Sequence, residues 1–400
     1  MATMSVLIGG GGIAGLALAI GLRRHGVQVT VVERADRPIR SGGGLVLAPN
    51  AVKALAAIDP DVTSQVRAIG RVAGARGVTG HRTPFLDQHG RPLGAVSFDG
   101  FEDRWGAPAV AVLWADLHRL LLDAATACGA AILAGHRVEC FVDRGSHVEL
   151  TANADVLHGD ALVGADGIGS VVRETLLGDG EPAHSGLTAV RGIGPAPGDH
   201  PDGFIAYGRG CVLFVAAIGD GRVYWVASMT AGPGTWPPLA PEVALTRVLD
   251  RMAGWAPTLR TVVAEARPAD CVVTDVFDRA PTGDWSRGRV ALMGDAAHPM
   301  VYTLGQGAGM ALEDATVLGA RLAGADDVPA ALAGYVAERA RRVRSVVRQS
   351  RLLGRIGHVR SPLAAALRNA ILSAVTRFGD ADRQNATLFA WQPPDAPVRR

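Results

Sequence analysis

The chain has 400 residues, 48% of them hydrophobic and 20% charged, which allows a large buried core and excludes wholesale disorder. Its net charge of +2 is too mild to indicate binding to nucleic acid or to an anionic membrane. Four cysteines without a CxxC pair or a metal-ligand spacing to histidine favour reduced thiols in a cytoplasmic protein, and we expect no metal site.

The first predicted elements form a βαβ unit. A buried strand at residues 6–8 leads into a glycine cluster, an apolar helix over about 13–25, and a second buried strand at 27–32 that ends at Glu33. This order is typical of a doubly wound nucleotide-binding domain. The apolar run lacks a basic flank and is rich in glycine, so we do not interpret it as a signal peptide or a membrane span.

The middle of the chain begins with an irregular stretch, residues 85–106, rich in Gly, Pro and charged residues. An amphipathic helix is predicted over 114–128, and strands at 131–133 and 148–151. A buried strand at 161–163 then resumes the pattern of the first unit.

The texture changes between residues 187 and 280, where short apolar runs are broken by Gly and Asp at hairpin-like intervals. This predicts an antiparallel sheet and therefore a second domain. Residues 290–293 return to the buried parallel style, a helix follows over 308–322, and 328–378 is helical and rich in arginine.

The predicted fold is therefore α/β. A doubly wound, Rossmann-like nucleotide-binding domain carries an inserted, mainly antiparallel β-sheet domain for substrate, and helices form the C-terminal part. We predict residues 1–75, 107–180 and 281–345 for the first domain. We predict 76–106 and 181–280 for the sheet domain, and 346–400 for the C-terminal helical segment and tail.

The most informative motif is the GxGxxG pattern at residues 10–15, directly after a strand and directly before a helix. Gly10 permits a tight turn, Gly12 lets the backbone approach a pyrophosphate, and Gly15 allows close packing of helix and strand. Glu33 closes the second strand, where a carboxylate accepts hydrogen bonds from a ribose. Together these features predict dinucleotide binding.

Two further motifs follow buried strands. Residues 164–173 read GADGIGSVVR, and residues 288–299 read GRVALMGDAAHP; the chain continues as LGQGAG at 304–309, into a helix that carries Glu313 and Asp314. With these three motifs, in this order, the sequence resembles the para-hydroxybenzoate hydroxylase family of FAD monooxygenases, also called group A. The resemblance covers most of the chain.

The resemblance implies a cofactor role for each matching position. The pyrophosphate of FAD would contact the first motif, Glu33 and Arg34 would lie at the adenosine end, and Asp166 would serve both FAD and NAD(P)H. Asp295 would bind the ribityl or phosphate part, and the 305–309 turn would pass beside the isoalloxazine. The full set of cofactor candidates is Gly10, Gly12, Ile13, Ala14, Gly15, Glu33, Arg34, Val138, Asp166, Asp295, Gly305, Gly307, Ala308 and Gly309. Helix capping is the alternative for Asp166 and Asp295.

Two positions depart from the family pattern. Trp114 stands where the family usually has an arginine that reaches the FAD phosphates, so Arg34, Arg37 or Arg40 would have to compensate for a weaker site. Tyr302 stands near a usual proline, where it would contact substrate or only fill space. His298, inside the third motif, is better explained by a structural hydrogen bond than by acid–base catalysis.

The family's chemistry needs no metal. As the resemblance implies, NADH or NADPH reduces FAD, O2 adds to give a C4a-hydroperoxide, and an electron-rich carbon of the substrate attacks the distal oxygen. We predict Arg191, Tyr207 and Tyr302 as catalytic residues. Further candidates on the predicted sheet are Arg209, Tyr224 and Trp225, although an aromatic residue in a sheet more often serves packing.

The sequence thus predicts an FAD-dependent hydroxylase or epoxidase that acts on a small aromatic or polycyclic metabolite. A flavin oxidoreductase of the same fold that inserts no oxygen (a reductase, dehydrogenase or cyclase) is the first alternative, and a protein without redox turnover is the second. The substrate, the choice between NADH and NADPH, and the choice between monomer and homodimer stay open.

Overall fold

The computed structural model of the protein describes residues 4–37 and 43–394. Its strands, in chain order, are β1 (Ser5–Gly9), β2 (Gln28–Glu33), β3 (Gly44–Leu47), β4 (Arg71–Ala73), β5 (Arg82–Asp87), β6 (Pro92–Ser97), β7 (Ala109–Leu113), β8 (Ala131–Ala134), β9 (Val138–Asp143), β10 (Val148–Ala152), β11 (Asp155–Gly159), β12 (Ala161–Gly164), β13 (Ala183–Pro195), β14 (Gly203–Tyr207), β15 (Cys211–Gly219), β16 (Arg222–Thr230), β17 (Val272–Asp278), β18 (Ser286–Arg287) and β19 (Val290–Leu292).

The helices, in the same order, are α1 (Ile13–Arg24), α2 (Pro49–Ile58), α3 (Pro60–Ile69), α4 (Phe101–Trp105), α5 (Trp114–Ala127), α6 (Val171–Leu177), α7 (Pro241–Arg251), α8 (Pro257–Ala264), α9 (Gly307–Leu322), α10 (Val328–Gly357), α11 (Pro362–Phe378) and α12 (Ala381–Phe389). Short 3₁₀ turns lie at Pro268–Asp270, Gly294–Ala296 and Tyr302–Leu304. In the described part of the chain, no helix combines the length and the apolar content that crossing a bilayer requires.

A mainly parallel sheet with the strand order β18-β19-β12-β1-β2-β8 forms the core of the first domain. Its central strands are buried, as expected of strands covered on both faces. In the parallel register, Gly9 lies opposite Gly164, and Gly164 lies opposite Leu292. Three strands therefore end at the same edge, and the three predicted motifs that follow them must meet there.

A second sheet, with the order β17-β13-β16-β15-β14-β5-β6, is antiparallel except where β5 pairs with β14. Its side chains alternate between two environments. Trp225 and Leu213 pack with residues of α7 and α8, whereas Tyr224 and Val226 pack with Ala111 from the first domain. One face of this sheet is thus covered by its own helices, and the other faces the edge where the motifs lie.

The structure differs from the prediction over residues 85–106, which we expected to be irregular. The hairpin of β5 and β6 and the short helix α4 occupy this segment. β5 pairs with β14, a strand remote in sequence, so the residues next to β5 in the chain did not indicate that it forms a strand. Strands β9 and β11 were also not predicted, because most of their residues are exposed and lack a clear apolar alternation.

The helical stretch predicted over 328–378 is two helices. The side chain of Ser361 caps α11, and Pro362 occupies its first turn, so the chain breaks between α10 and α11. α10 crosses residue 346 without interruption, and we propose that the C-terminal segment begins at 358–361 instead. The other boundaries remain a proposal, which the place of β5, β6 and β13–β17 in one sheet supports. Residues 395–400 of the predicted tail lie outside the described residues.

Candidate active site

Three glycine-rich loops meet at the carboxyl edge of the parallel sheet. A Cβ atom added to Gly10 would collide with the carbonyl group of Ala165, and one added to Gly294 would lie 3.1 Å from the Cβ of Ala14. The first motif therefore touches both the second and the third. Motifs separated by more than a hundred residues form one continuous wall.

Within the first loop, two glycines are needed for packing and one faces open space. Gly10 has a φ of +108°, and a Cβ on Gly15 would collide with the carbonyl oxygen of Gly10. A Cβ on Gly12, in contrast, would meet nothing within 4 Å. Gly12 also precedes α1 without capping it through a side chain, so the first amide groups of the helix keep their hydrogen-bonding capacity. An opening at a helix N-terminus is the geometry that a pyrophosphate requires.

Glu33 ties the end of β2 to this loop. Its carboxylate accepts hydrogen bonds from the backbone amides of Gly11 at 2.7 Å and Ala35 at 2.8 Å. The side chain is half-buried, and each carboxylate oxygen can accept further bonds. Binding of a ribose by Glu33 stays a prediction.

The remaining candidates at the adenosine end differ in exposure. Arg34 and Arg37 are exposed just after β2, and Arg40 lies outside the described residues. Val138 is buried, and its side chain would be 3.2 Å from a Cβ on Gly9, so it packs beneath the first strand. Ile13 is buried as well.

Asp166 caps helix α6. Its carboxylate accepts hydrogen bonds from the Ser170 hydroxyl at 2.5 Å, the Val171 amide at 2.8 Å and the Val172 amide at 3.3 Å. Burial raises the pKa of this carboxyl group above its usual value. The capping alternative is therefore realised, and a role toward FAD or NAD(P)H stays a prediction.

Asp295 lies in the turn after β19. Its side chain is accessible to solvent, yet protein atoms surround it closely enough that burial raises the pKa of its carboxyl group. Asp295 thus lies beside the edge where the three loops meet, with part of its side chain open to solvent.

The turn around Asp295 is fixed from below by the buried carboxylate of Asp314. Asp314 accepts hydrogen bonds from the Gly294 amide at 3.0 Å and from Arg339 Nε at 2.8 Å, and it pairs with His298 Nε2 at 2.5 Å. Burial alone would raise the pKa of Asp314, but the charges of His298 and Arg339 outweigh it and lower this pKa to about 2. His298 thus makes the structural hydrogen bond that we predicted.

The neighbouring Glu313 extends this network to the second glycine-rich turn. It accepts hydrogen bonds from Arg339 at 2.6 Å, from Arg342 at 2.6 and 2.7 Å, and from Asn50 at 2.7 Å. Asn50 also donates to Gln306 Oε1 at 2.9 Å. Gln306 directly precedes α9, so the network holds the start of that helix.

The turn at residues 305–309 combines open and packed glycines. Gly305 adopts a φ of +62°, and a Cβ on Gly305 or Gly307 would meet nothing within 4 Å. Gly309 instead packs at 3.2–3.4 Å from Asn50, Gln306 and Ala51. Two of the glycines therefore let a flat ring approach the backbone at the N-terminus of α9, where the helix dipole favours negative charge.

Arg191 lies on the face of the second sheet that is not covered by α7 and α8 and that faces the glycine-rich loops. Its guanidinium donates to the Thr274 hydroxyl at 2.7 Å and lies 6.0 Å from the ring of Tyr302. Nε of Arg191 and the hydroxyl of Tyr302 are buried and, within the described residues, make no hydrogen bond of normal geometry. Burial raises the pKa of Tyr302 to about 12. These two predicted catalytic residues thus lie together, each with unused hydrogen-bonding capacity.

Tyr207, the third predicted catalytic residue, is not part of this pair. Its ring lies 5.2 Å from the guanidinium of Arg368 on α11, and it packs edge-on against Phe85. Tyr207 on β14 and Ser228 on β16 lie on the same sheet face. Strand β15 lies between them, so at the usual strand spacing they are about 10 Å apart. Of the other candidates, Trp225 packs on the helix-covered face.

Sequence reasoning missed two residues that support the site. Ser228 hydrogen-bonds His358 Nε2 at 2.8 Å, which joins the sheet to the end of α10. His118 Nε2 lies 2.8 Å from the carbonyl oxygen of Gly11, and Trp114 stacks on this imidazole at 4.7 Å. Trp114 and His118 are one helical turn apart on α5, a spacing that was readable but has no family motif.

Comparisons with known proteins agree with this geometry. Residues 3–350 match the FAD binding domain family. The chain is 33% identical over 391 residues to aurachin C monooxygenase/isomerase from Stigmatella aurantiaca, covering 96% of each chain. It is 31% identical over 385 residues to 3-hydroxybenzoate 6-hydroxylase 1 from Aquipseudomonas alcaligenes, covering 93% of this chain and 94% of the relative. HpxO from Klebsiella pneumoniae complexed with FAD and uric acid superposes with a TM-score of 0.83 at 26% identity, covering 95% and 94%.

Replacing Gly12 by valine tests the open space in the first loop. Because a side chain there meets no protein atom, we expect the folded apo form and its Tm to be retained. FAD should bind roughly 100-fold more weakly, since the side chain would occupy the space that we predict for the pyrophosphate. Flavin fluorescence titration measures this loss. Gly21→Val, at another open glycine further along α1, is the matched control and should bind FAD normally.

Replacing Asp314 by asparagine tests the buried network. Loss of one partner leaves Arg339 with an incompletely compensated charge, and we expect a loss of about 3–5 kcal/mol of stability. The low pKa of Asp314 stabilises the wild type above about pH 4, and this contribution disappears as the pH falls toward 2. Thermal unfolding across that range should show the loss in the wild type and not in Asp314→Asn. The exposed Asp326→Asn is the control, and equal Tm values for both variants would contradict the assignment.

Proposed function

The chain belongs to the group A family of FAD-dependent monooxygenases, and we propose that it hydroxylates or epoxidises a small, flat aromatic or polycyclic molecule that carries an acidic oxygen. The family membership confirms the resemblance drawn from the three motifs. The enzyme uses FAD as its cofactor and NADH or NADPH as its cosubstrate. Bound FAD supplies the reducing equivalents and the activation of O2.

The observation that supports the proposal is the pairing of Arg191 and Tyr302 on the sheet face toward the glycine-rich loops, and between them we infer a flat recess for the ring system of the substrate. Gly12, Gly305 and Gly307 leave room for a cofactor at two helix N-termini. Arg191 offers unused donors toward an anionic oxygen of the substrate. Tyr302 stays protonated at neutral pH because its pKa is about 12, so its hydroxyl can donate a hydrogen bond.

The relatives support a small aromatic substrate by their names, which mention 3-hydroxybenzoate and uric acid. A phenolic acid or an acidic heterocycle would satisfy both the arginine and the flat recess. The sheet covers the site from one side, and this cover would exclude water from the reacting atoms. We also propose a cytoplasmic location, which the free thiols at all four cysteines support. We further propose that the protein is a monomer or a homodimer.

A screen tests this function. We expect phenolic acids or acidic fused-ring compounds to stimulate oxidation of NADH or NADPH, and mass spectrometry to find one 18O atom from 18O2 in the product. Release of hydrogen peroxide without labelled product would show uncoupling by a poor substrate. Substrate oxidation or cyclisation without label, across all active compounds, would instead support the oxidoreductase that inserts no oxygen.

Arg191→Met tests the recognition of charge. A charge-assisted hydrogen bond contributes about 1.5–3 kcal/mol, so KM for an anionic substrate should rise about 10- to 150-fold. For the uncharged amide analogue of the substrate, KM should rise much less. Arg222→Met, at an exposed turn of the same sheet, is the control and should leave both KM values unchanged. An equal loss for acid and amide would mean that Arg191 serves packing alone.

Tyr302→Phe separates a substrate contact from a space-filling role. The variant removes a buried hydroxyl that, among the described residues, makes no hydrogen bond of normal geometry, so Tm should change little. If the hydroxyl binds substrate, KM should rise about tenfold while NAD(P)H oxidation without substrate stays unchanged. Unchanged KM and kcat would assign Tyr302 to packing.

A further inference from the structure

The small sheet of β9, β10 and β11 carries three side chains that the proposed reaction does not use. His147, Glu149 and His158 each offer one ligand atom, and these atoms lie within 4.8 Å of one another. Glu149 and His158 are paired directly across the β10–β11 ladder. His147 is two residues before Glu149 and therefore on the same side of the strand.

Neighbouring groups already orient the ligand atoms. Ser146 Oγ hydrogen-bonds His147 Nδ1 at 3.1 Å, which leaves Nε2 of His147 3.5 Å from Oε1 of Glu149. Arg144 donates twice to Oε2 of Glu149, at 3.0 and 2.8 Å, and leaves Oε1 available. The hydrogen bond with Arg144 also lowers the pKa of Glu149, which keeps the carboxylate ionised. Two of the three ligands, His147 and Glu149, thus have an outer partner on the atom that does not face the cluster, as is typical of metal sites.

The turn that carries His147 is itself held in place. The amide of Arg144 donates to the carbonyl of His147 at 2.9 Å. The carboxylate of Asp143 accepts from the amides of Gly145 and Arg289, both at 2.8 Å. Binding at this turn therefore costs little ordering of the backbone.

We propose that His147, Glu149 and His158 bind a divalent transition-metal ion, with Zn²⁺ as the reference ion and water completing the coordination. Imidazole and carboxylate ligands suit zinc, nickel and copper, whereas Mg²⁺ and Ca²⁺ prefer sites made of oxygen alone. At bond lengths of about 2.0–2.2 Å, tetrahedral ligand atoms lie about 3.4 Å apart. The present separations, at most 4.8 Å, would have to shorten by up to about 1.4 Å, which side-chain rotations can supply because all three residues are at least partly exposed.

The site lies away from the reaction. Strand β9 runs from Val138, beside Gly9, to Asp143 at its other end. Five steps of about 3.3 Å place the cluster roughly 17 Å from the glycine-rich loops. The ion therefore acts by cross-linking β10 to the adjoining turn and to β11, and activity at saturating FAD should not depend on it.

Isothermal titration with Zn²⁺ tests the site in untagged, FAD-loaded protein freed of metal by chelation. We expect one equivalent to bind with a Kd below about 10 µM, a raised Tm, and no binding of Mg²⁺. His147→Gln and His158→Gln should each weaken binding at least tenfold, since each removes one of three protein ligands. The exposed His89→Gln is the matched control and should bind as the wild type does.

Cys140→Ser excludes a competing thiol site. Cys140 is exposed on the same face of the sheet, next to Thr151 rather than Glu149, and so lies about 7 Å along the strand. We expect this variant to bind Zn²⁺ normally. Loss of binding in Cys140→Ser, wild-type affinity in both histidine variants, or no stoichiometric binding by the wild type would overturn the proposal.

Discussion

The buried guanidinium of Arg339 lies between two carboxylates, and the geometry of the site depends on this arrangement. Through Asp314 it holds the turn that carries Asp295. Through Glu313, and the Asn50 amide that donates to both Glu313 and Gln306, it holds the start of α9. Buried charges persist only when each is paired and hydrogen-bonded, so the network has little freedom to rearrange. The turn that carries Asp295 and the glycine-rich turn before α9 are thus fixed by one set of buried charges.

Glycines on this framework have two separate functions. Gly10 and Gly15 allow strands and helix to approach more closely than any side chain would permit, whereas Gly12 and Gly307 leave space on the open side of the same loops. The first pair allows the loops to pack closely, and the second pair leaves space in which a ligand can bind. Trp114 does not contribute charge here; it covers His118, which contacts the loop through the carbonyl oxygen of Gly11. Where the resemblance implies an arginine, this chain has a stacked pair that supports the loop backbone.

The second sheet brings further polar side chains toward these loops. Alternation along β13 and β16 sends Trp225 toward its own helices and Tyr224 toward the first domain. Arg191 lies on β13 and Tyr302 in the loop after β19, and their proximity exists only because this face of the sheet covers that loop. Tyr207 was an equally reasonable candidate from its sequence, but Arg368 of α11 packs against it.

The sequence alone determined the nucleotide-binding unit, the three motifs and the membership of the flavin monooxygenase family. These features are local, since a strand, a glycine turn and a helix follow one another within about fifteen residues. Their residue types and order by themselves indicate phosphate binding. Tertiary structure alone decided which polar side chains meet. Arg339 reaches Asp314 through helix packing, and Glu149 meets His158 through strand register. Neither helix packing nor strand register leaves a periodic mark in the sequence, because the partners come from elements whose contact is fixed only when the core forms.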